Sequence, residues 1–463
     1  MSKDRTKLFS IHATLDRIHV RGDVEQDLRL LANVPWRSLP ARPTDRGIDL
    51  LNIAAGVYAV DRVVKRQAGA GNETGIRSLQ LCFAVQDLAF WQRSEITEAV
   101  EAILSFLTDE NWSVAFEQAA GVFVPQQVPL DLSLMRRPRR IALYSGGLDS
   151  AAGLANRVLA GIDDYLLVTV GHHNKLRHLC AEQIKQLSRL TSTPLQLHST
   201  LIVHLQGGVA KKRMRQQECS QRSRAFLFCA AAAVAAQTCQ IEEVEIFENG
   251  VGAINLPLMT GMLVGGLATR GAHPTFLKLM GQLASAVAEN SVRYSLPFAT
   301  MTKAEMLVPL KIHGLEEWAQ QSRSCVHTSL RERKASHCGQ CPGCIERRQA
   351  FSAADIAEPI TGQYSFDLFE GKKLTPNNAA YMQCYLDDAA AWLAADATVR
   401  RRLHWHLRGT DVPPEEDRLI AERQYRHAQE VISTLSHLTA QCLVRAATSP
   451  VGNSPSISKE TFA

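Results

Sequence analysis

No Walker A signature, Gly-x-x-x-x-Gly-Lys-Ser/Thr, occurs in the 463 residues, so phosphate binding by that loop is excluded. Nor is there a dinucleotide fingerprint, because Gly250-Val251-Gly252 is followed by Asn255 where a third glycine is needed. The most apolar helical stretch, Ala225 to Thr238, runs to about 15 residues against the roughly 20 that a membrane requires, which makes it a core helix and leaves no membrane span. Excess charge is small: 51 Lys and Arg against 46 Asp and Glu, a net of +5, well short of a dedicated polyanion binder. Met1-Ser2-Lys3-Asp4-Arg5 does not begin a secretory signal, so a reduced, cytoplasmic setting is expected and disulfides are not. No Ser-His-Asp or Cys-His spacing marks an acyl-transfer or ammonia-producing site, and no internal repeat is visible.

What is present is concentrated. Ile141-Ala142-Leu143-Tyr144 is a short apolar run of parallel-strand type, and it leads directly into Ser145-Gly146-Gly147-Leu148-Asp149-Ser150 and a helical pattern. Each residue type in that turn suits an anion. Gly146 and Gly147 let the backbone approach closely, Ser145 and Ser150 bring hydroxyl donors, and Asp149 or Ser150 is placed to cap a helix starting near Ala151. The free N–H groups of such a helix start favour negative charge, and a pyrophosphate answers that need.

A second concentration is Cys325, Cys338, Cys341 and Cys344, four of the eleven cysteines, spaced Cys-x12-Cys-x2-Cys-x2-Cys. Two successive Cys-x2-Cys steps around Gly339 and Gly343 aim thiolates at one centre, with Cys325 closing the shell. Zn2+ in a closed, structural site is the first expectation; an iron–sulfur cluster is the alternative.

Around these motifs the pattern alternates strand and helix. Tyr165 to Val170, Leu195 to His198 and Ile241 to Phe247 are expected strands, and a parallel, doubly wound α/β sheet follows, with ligands outside the carboxyl ends of its strands. That rim would gather the Ser145 loop, the turn holding His172, His173 and, further on, His178, and the Glu248 turn. The histidines are read as a polar rim turn, with contact to adenine or substrate as the alternative.

Residues 1–135 form an α+β extension in which Leu79, Leu81, Phe83 and Val85 alternate as a half-buried strand and Ile96, Val100, Ile103, Leu104 and Leu107 mark one helix face capped by Ser94. Pro125 to Pro138 is the expected linker. Residues 353–446 are helical, with Ala379 to Leu393 and Glu415 to Val444 as the clear segments. The basic and aromatic mixture Arg400-Arg401-Arg402-Leu403-His404-Trp405-His406 is a solvated helix end rather than a nucleic-acid contact, and residues 447–463 are a Ser/Thr/Pro-rich disordered tail.

The Ser-Gly-Gly-Leu-Asp-Ser loop resembles that of the PP-loop ATP pyrophosphatases. With Thr302-Lys303-Ala304-Glu305, Ser324-Cys325, Cys338-Gly339-Gln340-Cys341-Pro342-Gly343-Cys344 and Arg347, the chain is similar to the QueC family of 7-cyano-7-deazaguanine synthases, and more so to the QueC-like proteins of bacterial antiphage systems such as Qat. The resemblance covers roughly residues 138–352, within an expected domain of residues 136–352. It implies an adenine nucleotide alpha hydrolase-like fold; ATP and Mg2+ as cofactors beside Zn2+; Ser145 to Ser150 as the nucleotide cradle; Asp149, Lys303 and Arg224 as catalytic groups; and a deazapurine substrate. Ammonia, or an amine of a protein partner encoded nearby, would be the acceptor. A tRNA-modifying enzyme and a non-catalytic nucleotide-binding subunit are the alternatives. This chain departs from QueC at Gly171-His172-His173-Asn174-Lys175, at Ala225 and at the Glu248 turn, so its product need not be a nitrile.

Overall fold

Alternating burial along Ser78–Val85, with Leu79, Leu81, Phe83 and Val85 inward, is the period of two that a sheet with one face on a core imposes. The structure, a computed structural model, describes residues 7–13, 17–22, 26–33, 43–66, 76–120, 138–171, 174–195, 198–206, 218, 222–256, 269–326, 335–370, 374–394, 396–397, 401, 403 and 414–443. Among them lie strands β1 (Lys7–Ala13), β2 (Arg17–Gly22), β3 (Gln26–Asn33), β4 (Ser78–Val85), β5 (Asn111–Gln118), β6 (Arg140–Leu143), β7 (Tyr165–Gly171), β8 (His198–Gln206), β9 (Glu243–Ile246) and β10 (Arg293–Ser295). The helices are α1 (Asp45–Val63), α2 (Leu88–Trp91), α3 (Ser94–Thr108), α4 (Leu148–Leu159), α5 (Asn174–Leu190), α6 (Arg224–Cys239), α7 (Gly250–Ile254), α8 (Pro274–Ala288), α9 (Lys303–Ile312), α10 (Glu316–Gln320), α11 (Pro342–Ala353), α12 (Pro376–Leu393) and α13 (Pro414–Leu443).

All ten strands join one sheet, in the order β10-β9-β6-β7-β8-β3-β2-β1-β4-β5. The five from β6 to β10 are mutually parallel, and β6 lies between β7 and β9, so the order reverses direction at β6. This is the doubly wound α/β arrangement with its switch point at the end of the strand that carries the Ser145 loop. Side chains alternate between two cores: Ile141, Leu166, Val168 and Val170 pack with α6 and α8 on one face, and Ala142, Tyr144, Tyr165 and Leu167 pack with α4, α5, α9 and α10 on the other. The Ala-rich α6 is buried, and among the described residues no helix is long and apolar enough to cross a membrane.

The N-terminal block continues the sheet rather than standing beside it. Strand β3 pairs antiparallel with β8 from Asp27↔Gln206 to Asn33↔Thr200, and one apolar core holds Phe9, Ile11, Leu81 and Phe116 together with Phe226 and Met280. Buried ion pairs reinforce the join. Arg77 donates to Asp61 Oδ1 and to both oxygens of Glu110, each at 2.5 Å, while Asp61 Oδ2 accepts from Ser223 N at 3.1 Å and Ser223 Oγ at 2.7 Å, at the start of α6. Burial opposes ionisation of Asp61, but Arg77 and the Ser223 hydroxyl overcome it and hold the carboxyl below its ordinary value.

Because the folded value is depressed, the stabilisation is present above the unfolded carboxyl value of about 4 and is lost as pH falls through the folded value. Asp61→Asn, which removes one of the two carboxylates around Arg77 and leaves it paired with Glu110, is expected to cost on the order of 1 to 2 kcal/mol at pH 7 in urea unfolding, with a smaller difference from the wild type at acid pH.

Several local expectations change. Helix α4 begins at Leu148 with Gly147 as its N-cap, not near Ala151, and no side chain caps it; Ser150 Oγ instead donates back to Gly147 O at 3.0 Å. Arg93, not Ser94, is the N-cap of α3. The strand expected over Leu195 to His198 starts where that range ends, as β8. Strands β1 and β2 went unread although Phe9 and Ile11, then Ile18 and Val20, are buried in alternation. The Pro125 to Pro138 linker (save Pro138), His172, His173, most of Arg400 to His406 and the tail lie outside the described residues.

Candidate active site and metal centre

The turn after β6 is held from below. Gly146 takes φ +73°, and an added Cβ would stand 3.0 Å from Cys180 Sγ and 3.2 Å from Gln183 Oε1, so only glycine fits this conformation and this closeness. Its carbonyl accepts from Arg323 N at 2.9 Å, and Gln183 is fixed in turn by Tyr144 Oη, 3.0 Å from Gln183 Oε1. Ser145 Oγ accepts from Gly147 N at 3.2 Å and lies 3.1 Å from Ser150 Oγ. No side chain caps the N–H groups at the start of α4, and helix starts of that kind can receive an anion.

The switch point then brings distant residues onto Asp149. Lys303 Nζ is 3.1 Å from Asp149 Oδ2 and 3.6 Å from Glu346 Oε2. Asn249, just past β9, donates to Asp149 Oδ1 at 2.8 Å and to Glu248 Oε1 at 2.9 Å, while its own Oδ1 caps α7 by accepting from Gly252 N at 3.0 Å. Lys303 is the first residue of α9, whose start is a capping box between Thr302 and Glu305. Burial would push its ammonium down, but Asp149, Glu346 and Glu248 outweigh that and raise it above the ordinary value. Glu248 is pushed well above its ordinary range by burial first and by Asp149 second, with Lys303 acting against both.

Three carboxylates thus surround one ammonium. With Glu248 pushed toward its uncharged form, Asp149 and Glu346 balance the ammonium with one negative charge to spare, and among the described residues the three carboxylates do not gather as a metal-binding group; a Mg2+ arriving on nucleotide phosphates would find Asp149 as a single protein oxygen ligand.

Ser145 to Ser150, Asp149 and Lys303 are therefore brought together. Arg224 is not placed with them: it opens α6, is exposed, stacks 5.4 Å from the Phe228 ring centroid, and has Tyr58 and Arg62 as charged or polar neighbours. His178 is exposed on α5. Asn249, Glu346 and Gln183 are site residues that the motifs did not announce.

The four cysteines converge as their spacing predicts. Their Sγ atoms lie within 4.8 Å of one another, with Cys338 to Cys344 at 3.8 Å and Cys325 to Cys341 at 3.9 Å. A tetrahedral ion with bonds of about 2.3 Å requires sulfurs about 3.8 Å apart, so the set fits a single Zn2+, whereas a disulfide would need about 2 Å and a cluster of several irons a wider shell. Hydrogen bonds from the other three cysteines hold the Cys325 thiol far below its ordinary value, and the same closeness pushes Cys344 far up; a central cation is what lets all four ionise together. Gly339, at φ +83°, leaves room for Phe366 O, 1.9 Å from where a Cβ would stand. Arg347, wholly buried, ties the knuckle helix to the preceding segment through Ser322 O at 3.1 Å, Ser322 Oγ at 2.7 Å and Gln320 O at 2.9 Å.

Fold and site together define a doubly wound α/β protein with a glycine loop at its switch point and a four-cysteine knuckle, consistent with the adenine nucleotide alpha hydrolase-like fold. Residues 271–355, which hold Lys303, Glu346 and all four cysteines but not the Ser145 loop, match the family model described as "Queuosine biosynthesis protein QueC". Over 241 residues the chain is 27% identical to the 7-cyano-7-deazaguanine synthase of Agrobacterium fabrum (strain C58 / ATCC 33970), covering 48% of this chain and 90% of that protein. The chain is thus a distant homologue of the QueC family over about half its length. No solved structure matches it.

Proposed function

We propose that this chain is an ATP-dependent, AMP-forming enzyme of QueC type that activates a 7-deazaguanine carboxylate or amide. The observation that carries the reading is the meeting of Asp149 and Lys303, 154 positions apart in sequence and 3.1 Å apart in space, beside the uncapped start of α4. A substrate carboxylate oxygen attacks the α-phosphorus of ATP, the bond to the bridging oxygen breaks, and pyrophosphate departs. The N–H groups of Leu148, Asp149 and Ser150 and the Lys303 ammonium stabilise the charge that grows on the leaving group. An amine then attacks the acyl adenylate, loses a proton and expels AMP.

Mg2+ would be held by Asp149 and would neutralise phosphate charge; Zn2+ would be structural. The acceptor is ammonia or an amine of a partner protein, the residue 1–135 block being the partner-recognising part, and an antiphage system such as Qat is the proposed setting.

The test is to supply the protein with Mg–ATP, 7-carboxy-7-deazaguanine and either ammonium or a candidate partner. AMP and pyrophosphate in equal amounts are expected, with a new amide, or a mass increase on the partner, seen by mass spectrometry. ADP with phosphate, or no nucleotide turnover with any acceptor, would overturn the reading.

A further inference from the structure

We propose that Tyr381, which lies on α12 beyond the segment matching the QueC family model, is a positioning residue for Lys303. This inference rests on the ATP reading above. Tyr381 is buried, and its hydroxyl donates to Glu346 Oε1 at 2.5 Å; the other carboxylate oxygen of Glu346 is the one 3.6 Å from Lys303 Nζ. Three contacts in series thus run from the C-terminal helices to Asp149 and the nucleotide loop.

A lysine needs such a relay. Its four-carbon stem leaves the ammonium free to swing about any single partner, and with Asp149 alone it would close into a tight pair unavailable to phosphate. Shared between Asp149 and Glu346, the ammonium is committed to neither. Glu346 can share it only if its own side chain is fixed, and it is about one-third exposed, so packing does not fix it. Tyr381 does. Its ring lies parallel to that of Tyr385, 5.8 Å between centroids at 17°, and Tyr385 Oη is 3.1 Å from His427 Nε2 on α13. Burial raises the Tyr381 hydroxyl far above its ordinary value, so it stays a donor.

The same two helices also fix the backbone that presents the lysine. On α13, Glu430 Oε1 accepts from Thr302 Oγ1 at 2.6 Å, Arg426 Nε meets Glu305 Oε1 at 2.5 Å, and Arg426 Nη2 donates to Thr300 O at 2.9 Å. The α12–α13 pair therefore holds Lys303 at both ends, its main chain through α13 and its charged tip through Tyr381 and Glu346.

Tyr381→Phe keeps the ring and removes only the donor. Affinity for Mg–α,β-methylene-ATP, read by calorimetry, is expected to fall about tenfold, as the loss of one hydrogen bond to a charged group implies. In turnover, KM for ATP should rise about tenfold while kcat stays within roughly threefold, and the melting temperature should hold. Because the residues act in series, the double variant with Glu346→Gln should bind no more weakly than Glu346→Gln alone. If the wild type binds the analogue and Tyr381→Phe binds it equally well, or if the two losses add, the positioning role is wrong while the ATP reading stands. If the wild type itself does not bind the analogue, the ATP reading fails and takes this inference with it.

Discussion

Asp149→Ala is expected to lower AMP formation at least a thousandfold while leaving the circular dichroism spectrum and the melting temperature unchanged. The size follows from two losses at one atom group. The carboxylate that would hold Mg2+ disappears, and the Lys303 ammonium loses the partner at 3.1 Å that aims it at the loop, keeping Glu346 at 3.6 Å and the nearby Glu248. Electrostatic groups aimed at developing charge contribute about 3 to 4 kcal/mol each, so losing both a metal oxygen and a positioned cation exceeds a thousandfold. The fold should survive because Asp149 is partly exposed and its remaining contact, Asn249 Nδ2, keeps Glu248 Oε1 as an acceptor. An alanine variant that makes AMP within tenfold of the wild type would remove Asp149 from the chemistry.

The second large effect concerns the knuckle. Cys341→Ser, or a strong chelator, is expected to unfold the segment around residues 320–345 and to cut soluble yield sharply, since a closed four-thiolate ion contributes on the order of 10 kcal/mol to local folding. The damage should reach nucleotide binding. Cys325 lies two residues beyond Arg323, whose N–H donates to Gly146 O, and Ser324 N donates to His337 Nε2, next to Cys338. The segment leading into the knuckle thus forms part of the floor of the loop. Elemental analysis should return one zinc per chain, and added Zn2+, not Mg2+, should restore the melting temperature after chelation. A metal-free protein of unchanged stability would contradict this.

How far the sequence could be read depended on how local each cause was. The Ser145 loop and the Cys-x2-Cys-x2-Cys knuckle are contiguous, so residue type and spacing alone carry them, whereas Lys303 is legible only through the resemblance of Thr302-Lys303-Ala304-Glu305 to a QueC segment. Asn249 and Glu346 were not, because each acquires its role only when the sheet brings it to Asp149; Asn249 is 100 positions away. Tyr381 sits on a helix whose pattern reports burial and nothing more. The N-terminal block was read as a unit apart because periodicity shows that a strand has an inner face but not which strand it borders. Only the β3–β8 pairing discloses the common sheet. Residue type puts the start of α4 three residues late because Asp149 and Ser150 are ordinary cap residues, whereas Gly147 is the N-cap and offers no side chain to the first-turn N–H groups.

That common sheet has a practical bearing on anyone wishing to study the QueC-like half alone. Cutting the chain before residue 138 would lay bare the whole hydrogen-bonding flank of β8 and uncover the apolar side of α6, giving a sticky border open to pairing with a second fragment. The smallest well-behaved version of this protein is therefore not the half that matches its relatives.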